Sequence, residues 1–314
     1  MSGKVTFHDS YWYCYANSTA MLLSSIGEAV PPRLIEALSG VGLDAFISAA
    51  GLPFFSGLGG LPDEGISRAL RILGFTSEEA AFEMPASTRA LDRLRSNLSS
   101  GPVLLGPLDM IHLTYNPTRP GFPGVDHFVL AFGQRDDRFL IHDPAGFANV
   151  LLSEADLDRA WRADAVGYRR GHYRSWTKPR RVATPSDDEI FSRAISEFKQ
   201  LSADARTRAA STGWLHDEAA VNELAQWLSA GTLTPAQRGH LTKFALPLGV
   251  KRALDYADFF EARHPSLADL KRDQAAAFGR CLSHLMTDDP NGAISELRDL
   301  AALEAKIRSE IVTA

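Results

Sequence analysis

The chain of 314 residues is 45% hydrophobic and 23% charged, with 17 Pro and 24 Gly. That balance excludes a disordered or fibrous protein and suffices for one large domain or two ordinary ones. A formal net charge of -5 leaves no general positive field for nucleic acid. No stretch approaches the about 18 apolar residues of a membrane helix, and the N-terminus lacks the apolar core of a signal peptide. The expected location is cytoplasmic, with neither nucleic acid nor membrane as partner.

In chain order, the first pattern places apolar side chains at helical spacing over 16–26, with Gly27 able to stop the run. Cys14 stands just before it. Helical patterns follow over 63–73, with Asp63 as N-cap and Gly74 as stop, and over 87–98. Between the first two lies Gly57-Leu58-Gly59-Gly60, which lacks the Lys-Ser/Thr ending of a phosphate loop and so argues against nucleotide binding.

From Pro102 the period becomes extended, predicting strands over 103–108, 127–133 and 139–142, the last two joined by a turn over 134–138. Helices first and an antiparallel sheet after is an α+β order. The basic run Arg169, Arg170, Arg174, Lys178, Arg180 and Arg181, with Pro179 and Pro185 beside it, reads as a solvated linker. Beyond it helices are predicted over 187–210, 216–230, 235–263, 266–286 and 291–311. The predicted organisation is a mixed domain over 1–177 and an all-α domain over 178–314.

Two cysteines, Cys14 and Cys281, are too few for a disulfide framework. Cys281 falls in an apolar helical run and reads as a buried structural thiol. Cys14 is different, because a thiol attacks as thiolate and the partial positive charge of a helix N-terminus favours that form. A histidine must then pair with the sulfur and carry its proton, and a third polar group must hold the imidazole. His127, at the start of one predicted strand, and Asp143, just past the end of the next, meet both needs across a hairpin. Cys14, His127 and Asp143 therefore form a candidate Cys-His-Asp triad. Metal-ligand spacings are absent apart from His142 beside Asp143, so no metal or other cofactor is expected, and no Gly-x-Ser-x-Gly elbow supports a serine hydrolase.

The first 175 positions resemble the N-terminal domain of the butirosin biosynthesis protein H family, a papain-like group. The likeness rests on Tyr13-Cys14 before a Ser/Ala-rich helix, the loop Gly57–Gly60, the run Gly101–Tyr115, then His127-Phe128-Val129-Leu130 and Ile141-His142-Asp143-Pro144. It implies a papain-like fold and an acyltransferase or amide synthase of secondary metabolism, such as antibiotic biosynthesis. Cys14 would take an acyl group from a carrier-protein or other thioester and pass it to a small-molecule amine, with His127 as base and acid and Asp143 as orienter.

Papain-like enzymes supply an oxyanion donor six residues before the cysteine, which here is His8. Tyr13 and Asn17 beside the nucleophile are further candidates for holding the oxyanion or substrate; Asp109 and Tyr115, after a strand, could bind a cationic amine by charge and hydroxyl, with strand-end capping and core packing as the slightly favoured alternative. Tyr11, Trp12, Tyr13 and Tyr15 crowd Cys14, either as walls that exclude water or as packing. Two other functions compete: a cysteine peptidase of the double-glycine leader-peptidase type, and a binding module that retains the fold without catalysis.

Overall fold

The computed structural model describes residues 5–10 and 12–314. Met1–Lys4, part of the segment read for a signal peptide, and Tyr11, one of the aromatic residues beside the nucleophile, lie outside the described residues. The chain divides into two compact units, Met1–Ile35 with Ile66–Thr184 and Glu36–Gly65 with Pro185–Ala314. None of the described helices is long and apolar enough to cross a membrane.

The elements run α1 (Cys14–Ser24), α2 (Pro32–Ser39), the short pair β1 (Phe46–Ile47) and β2 (Pro53–Phe54), and α3 (Pro62–Ile72). Next come β3 (Phe75–Phe82), α4 (Ser87–Leu98), β4 (Val103–Asp109), β5 (Asp126–Arg135), β6 (Arg138–Asp143), β7 (Phe147–Ser153), α5 (Glu154–Arg162) and β8 (His172–Arg181). The remainder is helical: α6 (Asp187–Thr212), α7 (Asp217–Ser229), α8 (Pro235–His240), a π-turn over Leu241–Ala245, α9 (Leu246–Phe260), α10 (Pro265–Met286) and α11 (Pro290–Thr313). The molecule is thus mixed α+β with a helical C-terminal region, as the order of patterns predicts.

In the first unit β3 to β8 form one sheet in the order β3-β8-β4-β5-β6-β7, with every pair antiparallel. Leu105, Leu108, Val129, Ala131, Phe139 and Ile141 of the central strands pack with Leu91 and Leu94 of α4 and Leu157 and Trp161 of α5. Burial of that apolar surface is the main force holding the layers together. Helix α1 has no polar face: every residue from Tyr15 to Leu23 is buried, as befits a helix enclosed by its own unit.

Sequence reasoning misplaces two features here. The basic run is no linker, because His172–Arg181 is an interior strand between β3 and β4. Its cations face acids: Lys178 meets Glu78 at 3.0 Å, Arg181 meets Glu28 at 2.6 Å, Arg169 meets Asp164 at 3.0 Å, and Arg174 pairs with Glu79. The break therefore falls after Thr184 rather than at 177/178. The partner strand β3, sequence FTSEEAAF, has a helix-like composition, and its acids are what the basic strand pairs with.

The second difference is that residues 36–65 belong with the helical unit. Glu36 forms a buried ion pair with Arg252 at 2.8 Å, and Arg252 also donates to the Phe55 carbonyl at 3.1 Å. The Phe55 ring meets Phe278 edge-on at 4.4 Å. At Gly59 a Cβ would stand 2.1 Å from the Leu201 carbonyl, so glycine is what lets this loop lie against α6. The helix predicted over 235–263 is helical through Phe260 but carries a π-turn just before Pro247. Proline lacks an N–H and clashes with the carbonyl one turn back, and the wider turn absorbs both.

Candidate active site

Cys14 is the first residue of α1, two residues earlier than its apolar pattern indicates, and the residue is partly exposed. Tyr13 just before it has φ 64° and ψ 43°, a left-handed conformation unusual for a bulky side chain and held only by its surroundings. Asn17 supplies part of that hold. Its side-chain nitrogen lies 3.0 Å from the Tyr13 carbonyl, 2.9 Å from the Trp12 carbonyl and 2.9 Å from Ser10 Oγ. Ser18 ties the same helix to β5 by donating to the Phe128 carbonyl at 3.1 Å. The helix start is thereby fixed beside the strand that carries His127.

His127 near the start of β5 and Asp143 at the end of β6 come to the same end of the hairpin. His127 Nε2 lies 2.6 Å from Asp143 Oδ1, and Cys14 is close enough to the ring to raise its pKa. With Nε2 given to Asp143, Nδ1 is the nitrogen left for the sulfur. Burial opposes a charged imidazole, yet the charges and hydrogen bonds of Asp143 and Cys14 outweigh it and raise the His127 pKa well above its ordinary value. Burial likewise pushes the Asp143 carboxyl up. The His127 charge and hydrogen bond, the Ala145 amide at 2.7 Å and the Tyr115 hydroxyl at 2.8 Å overcome that and hold it below the usual range.

The other predicted site residues separate on inspection. Tyr115 does not wait for a ligand: its hydroxyl donates to Asp143 Oδ2, which fixes the carboxylate from the side opposite His127. Asp109 is also committed, since its Oδ1 accepts from the Ile111 amide at 3.2 Å and the Gly124 amide at 3.0 Å while the residue is buried. It caps a strand end, the alternative to amine binding that the sequence favours. Asn17, spent on the 10–13 segment, positions the helix start rather than meeting an oxyanion. Tyr13 contributes its backbone turn and a buried ring.

His8 is half-buried, and burial lowers its pKa against the opposing Asp9 charge. Its neutral ring would offer one N–H. His142 stacks on Phe132 at 4.1 Å, its Nδ1 accepts from the Asn149 amide at 3.2 Å, and burial lowers its pKa; it packs rather than ligates. Cys281 is fully buried in the helical unit, and burial pushes its thiol up to about 12. The supporting roles of the Ala145 amide and of the Tyr115 hydroxyl on Asp143 are not visible in the sequence. Only the Asp-Pro-Ala turn after β6 hints at the former.

The fold and this cluster define a two-unit α+β protein with an imidazole hydrogen-bonded to a carboxylate and a thiol beside the ring. Residues 210–312 match the family described as YobF C-terminal domain. Over 300 residues the chain is 40% identical to "Uncharacterized protein YobF" of Bacillus subtilis (strain 168), covering 96% of each protein. The chain belongs to the YobF family.

Proposed function

We propose that the protein is a cysteine-dependent acyltransferase that works through an acyl-Cys14 intermediate. The observation that carries the reading is His127, hydrogen-bonded to a buried Asp143 whose pKa is held low, with a cysteine at a helix N-terminus acting on the same ring. The papain-like likeness of the first unit supports it, as does the chain order of cysteine, histidine and aspartate.

In the first half-reaction the Cys14 sulfur attacks the carbonyl carbon of an acyl thioester, forming a new C–S bond. The old C–S bond breaks, and the leaving thiol takes the proton from His127. In the second, an amine attacks the acyl-Cys14 carbonyl and gives its proton to His127, and the Cys14 sulfur departs. Asp143, held by Tyr115 and Ala145, stabilises the imidazolium present before each donation. Backbone N–H groups at the start of α1 supply oxyanion stabilisation, because the first turn of a helix has donors without intrahelical partners. The donor is a carrier-bound or free acyl thioester and the acceptor a small amine.

Incubation with an acyl thioester and a panel of small amines, with Cys14→Ala beside the wild type, tests the reading. Cys14-dependent amide formation is the expected result. Cys14-dependent peptide cleavage without transfer would replace the reading by the peptidase one.

A further inference from the structure

Within the helical unit the segments 44–47 and 215–217 run side by side. Phe46 bridges His216 in antiparallel fashion, the Ile47 amide donates to the Leu215 carbonyl at 3.0 Å, and the Asp217 amide donates to the Ala45 carbonyl at 2.7 Å. This ribbon gathers Asp44, His216 and Asp217, each offering a ligand atom within 4.8 Å of the others. The grouping is invisible in the sequence, where 172 residues separate Asp44 from His216.

Hydrogen bonding accounts only weakly for the His216 ring. Its Nδ1 is sealed from solvent and makes no hydrogen bond of ordinary geometry, its polar neighbour being the Asp44 carboxylate, on which it acts by charge and at long hydrogen-bonding range. The atom it faces, Asp44 Oδ2, lies 3.6 Å away, longer than an ordinary hydrogen bond. That separation is close to the edge of a tetrahedron, about 3.4 Å for metal–ligand bonds of about 2.0–2.2 Å. Asp44 is already oriented, its Oδ1 accepting from the Ala45 amide at 2.7 Å. Arg308 pairs with Asp217 through Oδ2 and with Glu218, which leaves the second Asp217 oxygen uncommitted by that pair. Asp44 and Asp217 both open on a small recess of about 40 Å³, whose lining also contains Gly57, Gly59, Glu304 and Arg308 but not His216.

We propose that Asp44, His216 and Asp217 bind one divalent metal ion of the Zn²⁺ class, the fourth position being open to water or a ligand in the recess. One imidazole with two carboxylates suits zinc and its first-row neighbours, whereas all-oxygen sets suit Mg²⁺ and Ca²⁺. Nothing in this inference depends on the chemistry of Cys14.

The test uses the full-length chain carrying Cys14→Ala, so that the other unit has no thiol to compete for metal, made metal-free with a chelator and titrated with Zn²⁺ by calorimetry. One ion per chain should bind and raise the melting temperature, with Mg²⁺ giving no response at the same concentration. His216→Gln and Asp44→Asn should each weaken Zn²⁺ binding by about 100-fold or more, beyond what outer-shell changes cost. Co²⁺ should give the intense visible bands of a tetrahedral site in the parent protein, which decides the matter even if a variant fails to fold. Absence of saturable Zn²⁺ binding, binding untouched by both substitutions, or a Co²⁺ spectrum like that of the free aqueous ion would overturn the proposal.

Discussion

His127 and Asp143 meet at 2.6 Å, the histidine only 6% exposed and the aspartate fully buried. A buried ion pair is strongly destabilised when one partner is removed, because the other charge is left uncompensated. In Asp143→Asn the charge of Asp143 is lost while burial still opposes a charged ring, so the His127 pKa should fall. Titration of the histidine ring carbons by NMR reads this shift. An unchanged His127 titration would show that Asp143 does not govern the imidazole.

The same pair links stability to pH. His127 has its pKa raised on folding, so its contribution is complete below its ordinary value of 6.5 and is lost as the pH rises through the folded value. Asp143 has its pKa lowered, so its contribution is complete above 3.8 and is lost as the pH falls through its folded value. Denaturant unfolding of wild type and Asp143→Asn across pH should show the difference between them narrowing at both extremes. A difference that is constant with pH would contradict the linkage.

Tyr115→Phe deletes one hydrogen bond to a charged carboxylate at 2.8 Å. Such a bond contributes about 1.5–3 kcal/mol, which corresponds to about 10- to 100-fold in rate if it is felt fully in the transition state. The expected phenotype is a lower kcat with KM little changed, because the hydroxyl touches Asp143 and not the substrate. A rise in KM alone would place Tyr115 in the binding pocket instead.

The two thiols should behave differently. Cys14 is partly exposed while Cys281 is fully buried, with its pKa pushed up to about 12. A disulfide reagent should therefore consume one thiol quickly in the native protein and the second only after unfolding. Cys14→Ala should remove the fast phase alone. Two fast thiols would refute the burial of Cys281.

Much of this arrangement was legible in the sequence because it rests on local signals. The helix after Cys14, the β5–β6 hairpin and the C-terminal helices carry strong periodicity, and Cys14, His127 and Asp143 stand at their ends. What escaped reading depends on contacts distant in sequence. Strand β8 looks like a linker until Glu78 and Glu79 of β3 are set beside it. Residues 36–65 join the helical unit through a pair, Glu36 with Arg252, that spans 216 positions. Asp109 and Tyr115 are chemically apt for ligand binding or for capping and packing, and their partners decide for the latter.

The revised boundary has its own consequence. Cleavage by a protease of broad specificity should fall within 182–186, which lies between β8 and α6 outside any helix or strand, and should spare 173–181, whose backbone is tied into the sheet. Early cuts inside 173–181 would restore the linker reading.

The central claim is that Cys14 carries an acyl group, and intact-protein mass spectrometry after brief exposure to acyl thioesters tests it most directly. Wild type and Cys281→Ala should each gain one acyl mass, Cys14→Ala should gain none, and His127→Ala should acylate about 10²–10⁴-fold more slowly. Addition of an amine should discharge the acyl group as an amide. If no thioester labels Cys14, or if Cys14→Ala acquires the same mass as the wild type, the acyl-Cys14 mechanism is wrong.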